Sequence, residues 1–292
     1  MNRTRMIHFQ FVFLLSLLTL VLSASTVLAR SIPGVAGKIT EYLIPTSSSE
    51  PAGITSGPDG NLWFTESTWN KIGMITPEGK FTEYRLPVKH PNKITTGPDG
   101  NLWFTGDRMT SLHFLAGYIG KMTLAGKITI FQLPLFSEPR GITAGPDGNL
   151  WFAEEFSGQI GRITPSGTIT WFPIPTSGGE PFSITTGPDG NLWFTEGYGN
   201  KIGKITPDGH ITEYPIPTPR SSPEGITAGS DGNLWFTEWQ ANQIGRISTG
   251  GSITEYPIPT SNSQPYWITL GSDGNLWFTE LAGNKIGKIT SQ

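Results

Sequence analysis

The sequence predicts an all-β protein, a six-bladed propeller built from four-stranded antiparallel blades. Three observations carry that expectation. The string Gly-(Pro/Ser)-Asp-Gly-Asn-Leu-Trp-Phe occurs six times, beginning at Gly57, Gly97, Gly145, Gly187, Gly229 and Gly271. Successive copies start 40, 48, 42, 42 and 42 residues apart, and a fixed period of this length marks a solenoid, a propeller or an array. Each repeat holds four short runs of strand-forming residues separated by Gly- and Pro-containing turns, and none shows a helical period.

The N-terminus reads as a targeting segment. Arg3 and Arg5 precede an apolar run over residues 11–22, and Val27-Leu28-Ala29 follows as a small-residue cleavage pattern. These are the charged, apolar and cleavage regions of a secretory signal over residues 1–29. They predict a secreted or extracytoplasmic protein with no membrane attachment after cleavage. Residues 30–37 read as a short linker and residues 38–292 as the propeller.

Within a repeat, the first strand is short and small-sided, as at Ile54-Thr55, which suits a crowded central axis. The second is Leu-Trp-Phe-Thr, as at residues 62–65, entered through an Asp-Gly turn in which Gly supplies the positive φ a tight hairpin needs. The third is Ile-Gly-x-Ile-Thr, and a strand glycine marks close approach by something bulky. The expectation is that the repeated indoles Trp63, Trp103, Trp151, Trp193, Trp235 and Trp277 pack there, between neighbouring sheets. The fourth strand ends in prolines such as Pro173, Pro215 and Pro257, and a residue without an N–H belongs on an outer edge. The repeats begin with an outermost strand, residues 38–44, and end with a third strand. The first strand of the chain is therefore expected to complete the last blade beside residues 286–290, which hides two sheet edges.

Composition narrows the chemistry. There is no Cys, which removes disulfides, thiolate metal sites and Cys nucleophiles. A formal net charge of −3 leaves no basic footprint for nucleic acid. The predicted partner is a small molecule at the mouth of the central channel, bound by a monomer. Two loop sets converge there. Those entering the first strands carry Glu50, His90, Glu138, Glu180, Glu224 and Gln264; those leaving the second strands carry Glu66, Asp107, Glu154, Glu155, Glu196, Glu238 and Glu280. Carboxylates in this number suit a hard cation held through oxygen, with Glu50, Glu138, Glu180, Glu224 and Glu280 as candidate ligands. The repeated Thr-Glu positions instead predict cross-strand pairing with Lys71, Lys201 and Lys285. Aromatic residues in the same loops, Trp69, Tyr198, Trp239, Tyr266 and Trp267 with Phe156 and Phe182, suit a ligand cleft. The second blade has a longer loop around residues 107–118 with the character of a lid. It holds His113, which with His90 makes the only imidazole candidates for acid–base work near that face.

The full repeat, Ile-Thr-Glu-Tyr-Pro-Ile-Pro-Thr, then Gly-Ile-Thr-Ala-Gly, Asp-Gly-Asn-Leu-Trp-Phe-Thr-Glu and Asn-Lys-Ile-Gly-Lys-Ile-Thr, resembles the virginiamycin B lyase, or streptogramin lyase, family over residues 38–292. The resemblance implies a carbon–oxygen lyase that opens the ester-closed ring of a streptogramin B antibiotic by elimination. It also implies a His acid/base and Mg²⁺ held near glutamates on one face of a seven-bladed propeller. The family's Glu-Pro-His-Gly-Ile stretch falls on Gln264, Pro265, Tyr266, Trp267 and Ile268. Tyr266 thus stands at the His position and Gln264 at the Glu position, and a further metal-side glutamate corresponds to Glu280. Two other readings stand beside this one: a non-catalytic ligand-binding or partner-binding propeller, and a six-bladed metal-dependent lactonase-like hydrolase.

Overall fold

The computed structural model describes residues 42–107 and 116–291. Blade 1 consists of strands Pro51–Ser56, Leu62–Glu66, Lys71–Ile75 and Phe81–Arg85. Blade 2 is Pro91–Thr96, Leu102–Gly106, Ala116–Met122 and Ile128–Leu135, and blade 3 is Pro139–Ala144, Leu150–Glu154, Gln159–Ile163 and Ile169–Pro173. Blade 4 is Pro181–Thr186, Leu192–Glu196, Lys201–Ile205 and Ile211–Pro215. Blade 5 is Pro223–Ala228, Leu234–Glu238, Gln243–Ile247 and Ile253–Pro257, and blade 6 is Pro265–Leu270, Leu276–Glu280 and Lys285–Ile289. Each blade pairs its strands in chain order, every neighbour antiparallel. The protein is an all-β, six-bladed propeller with the last blade three-stranded, and the first strands follow one another around the axis from blade 1 to blade 6.

The second strand supplies both faces of the core. Its Trp and Phe are neighbours in sequence and so point to opposite sides of the sheet. Trp193, with Ile202 and Ile216, packs against Ile226, Leu234 and Phe236 of the next blade. The same combination recurs between the other successive blades. The indoles therefore lie between sheets as expected, but the third-strand glycines serve a different ring. A Cβ on Gly203 would stand 2.0 Å from the Phe194 ring, and Gly73, Gly120, Gly161, Gly245 and Gly287 stand in the same relation to the Phe of their own blades. The pleat explains the correction: Phe194 and Gly203 are direct cross-strand partners on one face, whereas Trp193 is opposite Lys204. Each of the six indoles instead donates its Nε1–H to the turn aspartate, as Trp193 does to Asp189 at 3.0 Å, and those of blades 1 to 5 stack on an aromatic of the fourth strand, as Trp193 does on Tyr214 at 5.6 Å.

The proposed fourth strand of blade 6 begins at residues 38–41, which lie outside the described residues; Tyr42, Leu43 and Ile44 carry no strand. Tyr42 nonetheless covers Gly79 of blade 1, as Tyr84, Phe131, Phe172 and Tyr214 each cover the third-to-fourth-strand glycine of the following blade. The faces at the two ends of the series are bare. Ile54 of blade 1 is 65% exposed, whereas its counterparts Ile94, Ile142, Ile184, Ile226 and Ile268 are buried. Ile286 of blade 6 is 64% exposed against buried Ile72, Ile119, Ile160, Ile202 and Ile244.

Candidate functional site

The first strands open with Pro51, Pro91, Pro139, Pro181, Pro223 and Pro265. Just before five of them, Glu50, His90, Glu180, Ser222 and Gln264 sit at φ of 49–55°, a left-handed turn that swings the chain from the loop into the strand. Between the Pro and the Ile of each first strand the register with the second strand slips, as between Pro223 and Ile226. The slip is a bulge, which re-aims side chains at the strand's start. The residue after each Pro differs from blade to blade: Ala52, Asn92, Arg140, Phe182, Glu224 and Tyr266.

Three of these residues, Phe182, Glu224 and Tyr266, line a cavity of about 690 Å³, joined by Glu155, Glu180 and Tyr198 from the loops. Arg140 organises the acidic side. Its guanidinium pairs with Glu138 at 2.5 Å and with Glu155, and lies 5.7 Å over the Phe182 ring. Burial works against that charge, but Glu155, Glu138 and Asp107 outweigh it and raise the Arg140 pKa, so the cation is firmly held. Glu138 is raised by burial first, with Arg140 opposing. Glu224 is pushed up to about 7, by burial first and then by the charges of Glu155 and Glu180, again against Arg140. Burial and the nearby Glu224 also raise Tyr266, so it stands as a neutral phenol.

Three aromatic rings meet at the channel. Phe182 stacks on Trp267 at 5.6 Å and lies 5.9 Å from Tyr266, which meets Trp267 edge-on at 5.3 Å. Lys93, reaching across from blade 2, places its Nζ 3.1 Å from the centre of the Trp267 ring. Burial pushes the Lys93 ammonium down to about 7.

The structure sorts the residues expected from sequence. Glu180, Glu224, Tyr198 and Tyr266 line one cavity; Glu138 and Trp267 are not in the lining but are linked to it, Glu138 through Arg140 to Glu155 and Trp267 by its stack on Phe182. Glu50 accepts a hydrogen bond from Thr68, and Trp69 donates to the Ser47 carbonyl, both on blade 1 and outside the cavity lining. Trp239 is likewise outside the lining, beside Gln240, which belongs to it. Glu280 is buried at the end of its strand. Among the described residues no three His, Asp or Glu side chains stand together in a metal-holding arrangement. His90 lies near Asp107 and is not part of the cavity lining; His113 lies outside the described residues.

The expected pairing of the Thr-Glu glutamates with lysines is replaced by another. Lys71 pairs with Glu83 and Lys201 with Glu213, each lysine also donating to a threonine, Thr46 or Thr176. The fourth-strand glutamates lie toward solvent, where an ion pair costs less desolvation. Glu196 and Glu238 are left buried and are pushed up to about 8, by burial and then by the charge of Glu213 or Glu255.

Lys93 and Arg140 were not singled out from sequence. The available signal is local departure from the repeat: Lys93 stands where blades 1, 3 and 5 have Gly53, Gly141 and Gly225.

The profile of the Virginiamycin B lyase family matches residues 28–112 and 112–292. A selenomethionine-substituted virginiamycin B lyase from Staphylococcus aureus is 46% identical, covering 84% of this chain and 82% of that one, with a TM-score of 0.78. A catalytically inactive virginiamycin B lyase from Staphylococcus aureus, crystallised with Quinupristin, is 45% identical over 86% of this chain and 85% of that one, with a TM-score of 0.80. Among curated relatives, a virginiamycin B lyase of Bacillus licheniformis is 49% identical over 42 residues, a match spanning 14% of this chain and only 14% of that relative.

Proposed function

The chain belongs to the virginiamycin B lyase family, and from that premise we propose that it opens a cyclic ester by elimination at the cavity formed by blades 3 to 6. The observation that carries the reading is the makeup of that cavity. Phe182, Tyr198 and Tyr266 offer ring faces for the aromatic parts of a depsipeptide, and the same lining holds Glu155, Glu180 and Glu224, with Glu155 fixed by Arg140, together with Arg220. A concave, largely aromatic site with a few convergent polar groups is the usual form of a small-molecule site. Elimination breaks a carbon–oxygen bond without water, so it needs a base near the substrate's acidic carbon and donors near the developing charge. Glu180 and Glu224 supply carboxyls in the lining, and Tyr266 supplies a phenol that keeps its proton.

Arg140 holds Glu138 and Glu155, and among the described residues no three carboxyls gather around one point, so the roles proposed here fall to the protein's own side chains. The N-terminal segment supports an extracytoplasmic site of action. One feature favours binding without turnover instead: the residue after Pro265 is Tyr266, not His. Incubating purified protein with quinupristin separates the two, since turnover gives a ring-opened product and binding alone gives only a thermal shift.

A further inference from the structure

We propose that Glu224 is the catalytic base of this mouth, the residue that takes the proton from the carbon next to the substrate's carbonyl; this rests on the elimination reading above. Its placement comes first. Glu224 is the second residue of the blade 5 strand Pro223–Ala228, and its backbone is clamped on both sides. The Thr195 hydroxyl of blade 4 donates to the Glu224 carbonyl at 2.8 Å. Gly225 beside it lies so close to blade 6 that a Cβ would come within 2.9 Å of the Tyr266 carbonyl. The backbone that carries the carboxyl is thus fixed relative to the cavity it lines, which positioning for proton transfer requires.

Its freedom comes second. Glu138 and Glu155 are bound to Arg140, whereas the Glu224 Oε2 is buried and has no hydrogen-bond partner in the structure. An orphaned oxygen of this kind costs stability unless something fills the site. The charged and titratable groups around it are Glu155 and Arg140 of blade 3, Glu180 and Tyr198 of blade 4, Arg220 at the entry to blade 5 and Tyr266 of blade 6. Burial and, among these, the charges of Glu155, Arg140 and Glu180 bring its proton affinity near neutrality, where a base balances availability against strength. Lys93, Glu196 and Glu238, whose proton affinities also lie near neutrality, are not part of the cavity lining, and the Lys93 ammonium sits over the Trp267 ring.

The step balances without a co-reactant. Glu224 carboxylate takes the proton from the carbon next to the carbonyl. The C–H electron pair forms a carbon–carbon double bond to the neighbouring carbon, and the bond from that carbon to the ester oxygen breaks. The ester oxygen leaves with its electron pair as a carboxylate, and Glu224 returns its proton to solvent.

The test is steady-state kinetics of wild type, Glu224→Gln and Glu224→Asp on quinupristin, with the melting temperature of each variant recorded to show that it folds. The expected result is a fall in kcat of about 10²–10⁴-fold in Glu224→Gln with KM little changed, and partial recovery in Glu224→Asp. Wild-type turnover with an unimpaired Glu224→Gln overturns the assignment and leaves the elimination reading standing. A wild type that binds quinupristin without opening it overturns both.

Discussion

The Lys93 ammonium of blade 2 lies 3.1 Å from the centre of the Trp267 ring of blade 6, a contact that crosses the propeller's axis. It joins two blades that share no strand pairing, and it sets a lysine where burial pushes its pKa from 10.5 to about 7. The sign of the pH effect follows. Below pH 7 the folded protein carries a desolvated charge. Between about 7 and 10.5 the unfolded chain holds more protons than the folded one, so this residue makes stability rise with pH. Lys93→Met is expected to be more stable than wild type at pH 6, by on the order of 1–3 kcal/mol after loss of the cation–π attraction. The gain should shrink toward pH 10. Melting curves of the pair across that range check it; a variant less stable at pH 6 contradicts it.

Glu196 and Glu238 give a dependence of opposite sign. Both are raised from 4.5 to about 8. Below pH 4.5 they are protonated folded or unfolded. Between 4.5 and 8 only the unfolded chain ionises, so stability falls as pH rises. Glu196→Gln and Glu238→Gln are expected to flatten that fall, each gaining on the order of 1–3 kcal/mol at pH 8. Urea midpoints at pH 5 and pH 8 are the measurement, and an equal loss at both values in the variants would argue for a structural ionic role instead.

Gly203→Ala tests the correction to the core. Its Cβ would meet the Phe194 ring at 2.0 Å, and overpacking of this kind costs about 1–3 kcal/mol. Gly197→Ala, where the nearest atoms stand 3.7 Å away, is the matched control. Chemical denaturation should separate the two variants clearly.

Blade closure is testable by cross-linking, because the chain has no Cys to confuse the result. Ile202 is the direct partner of Tyr214, and the same register carried to blade 6 sets Ile286 opposite Tyr42. Tyr42→Cys combined with Ile286→Cys is expected to lose both free thiols on mild oxidation, within one chain, and to raise the melting temperature. Persistently free thiols, or dimers joined through these positions, would show that residues 38–44 do not complete the last blade of their own chain.

The repeat made most of this fold legible. Leu-Trp-Phe after Asp-Gly specifies a hairpin and a two-faced core strand wherever it occurs, and terminal prolines specify the outer edge. Properties set by register between strands were harder to read. Whether Phe194 or Trp193 meets Gly203, and whether Lys201 pairs with Glu196 or Glu213, depends on side-chain direction across three strands at once. The site was half legible for the same reason. Glu180, Glu224, Tyr198 and Tyr266 sit at loop positions whose convergence follows from the fold. Lys93 and Arg140 act across blades, through Trp267 and through Phe182, and a single repeat holds no trace of partners contributed by another.

Opening of a cyclic ester by elimination takes no atom from water, and the mass of the product formed from quinupristin in water enriched in ¹⁸O reads this out. Elimination gives a chromatographically distinct, ring-opened product with the substrate's own mass and no ¹⁸O. Hydrolysis gives a product heavier by one water and carrying the label, and that result, or recovery of intact substrate alone, would contradict the account.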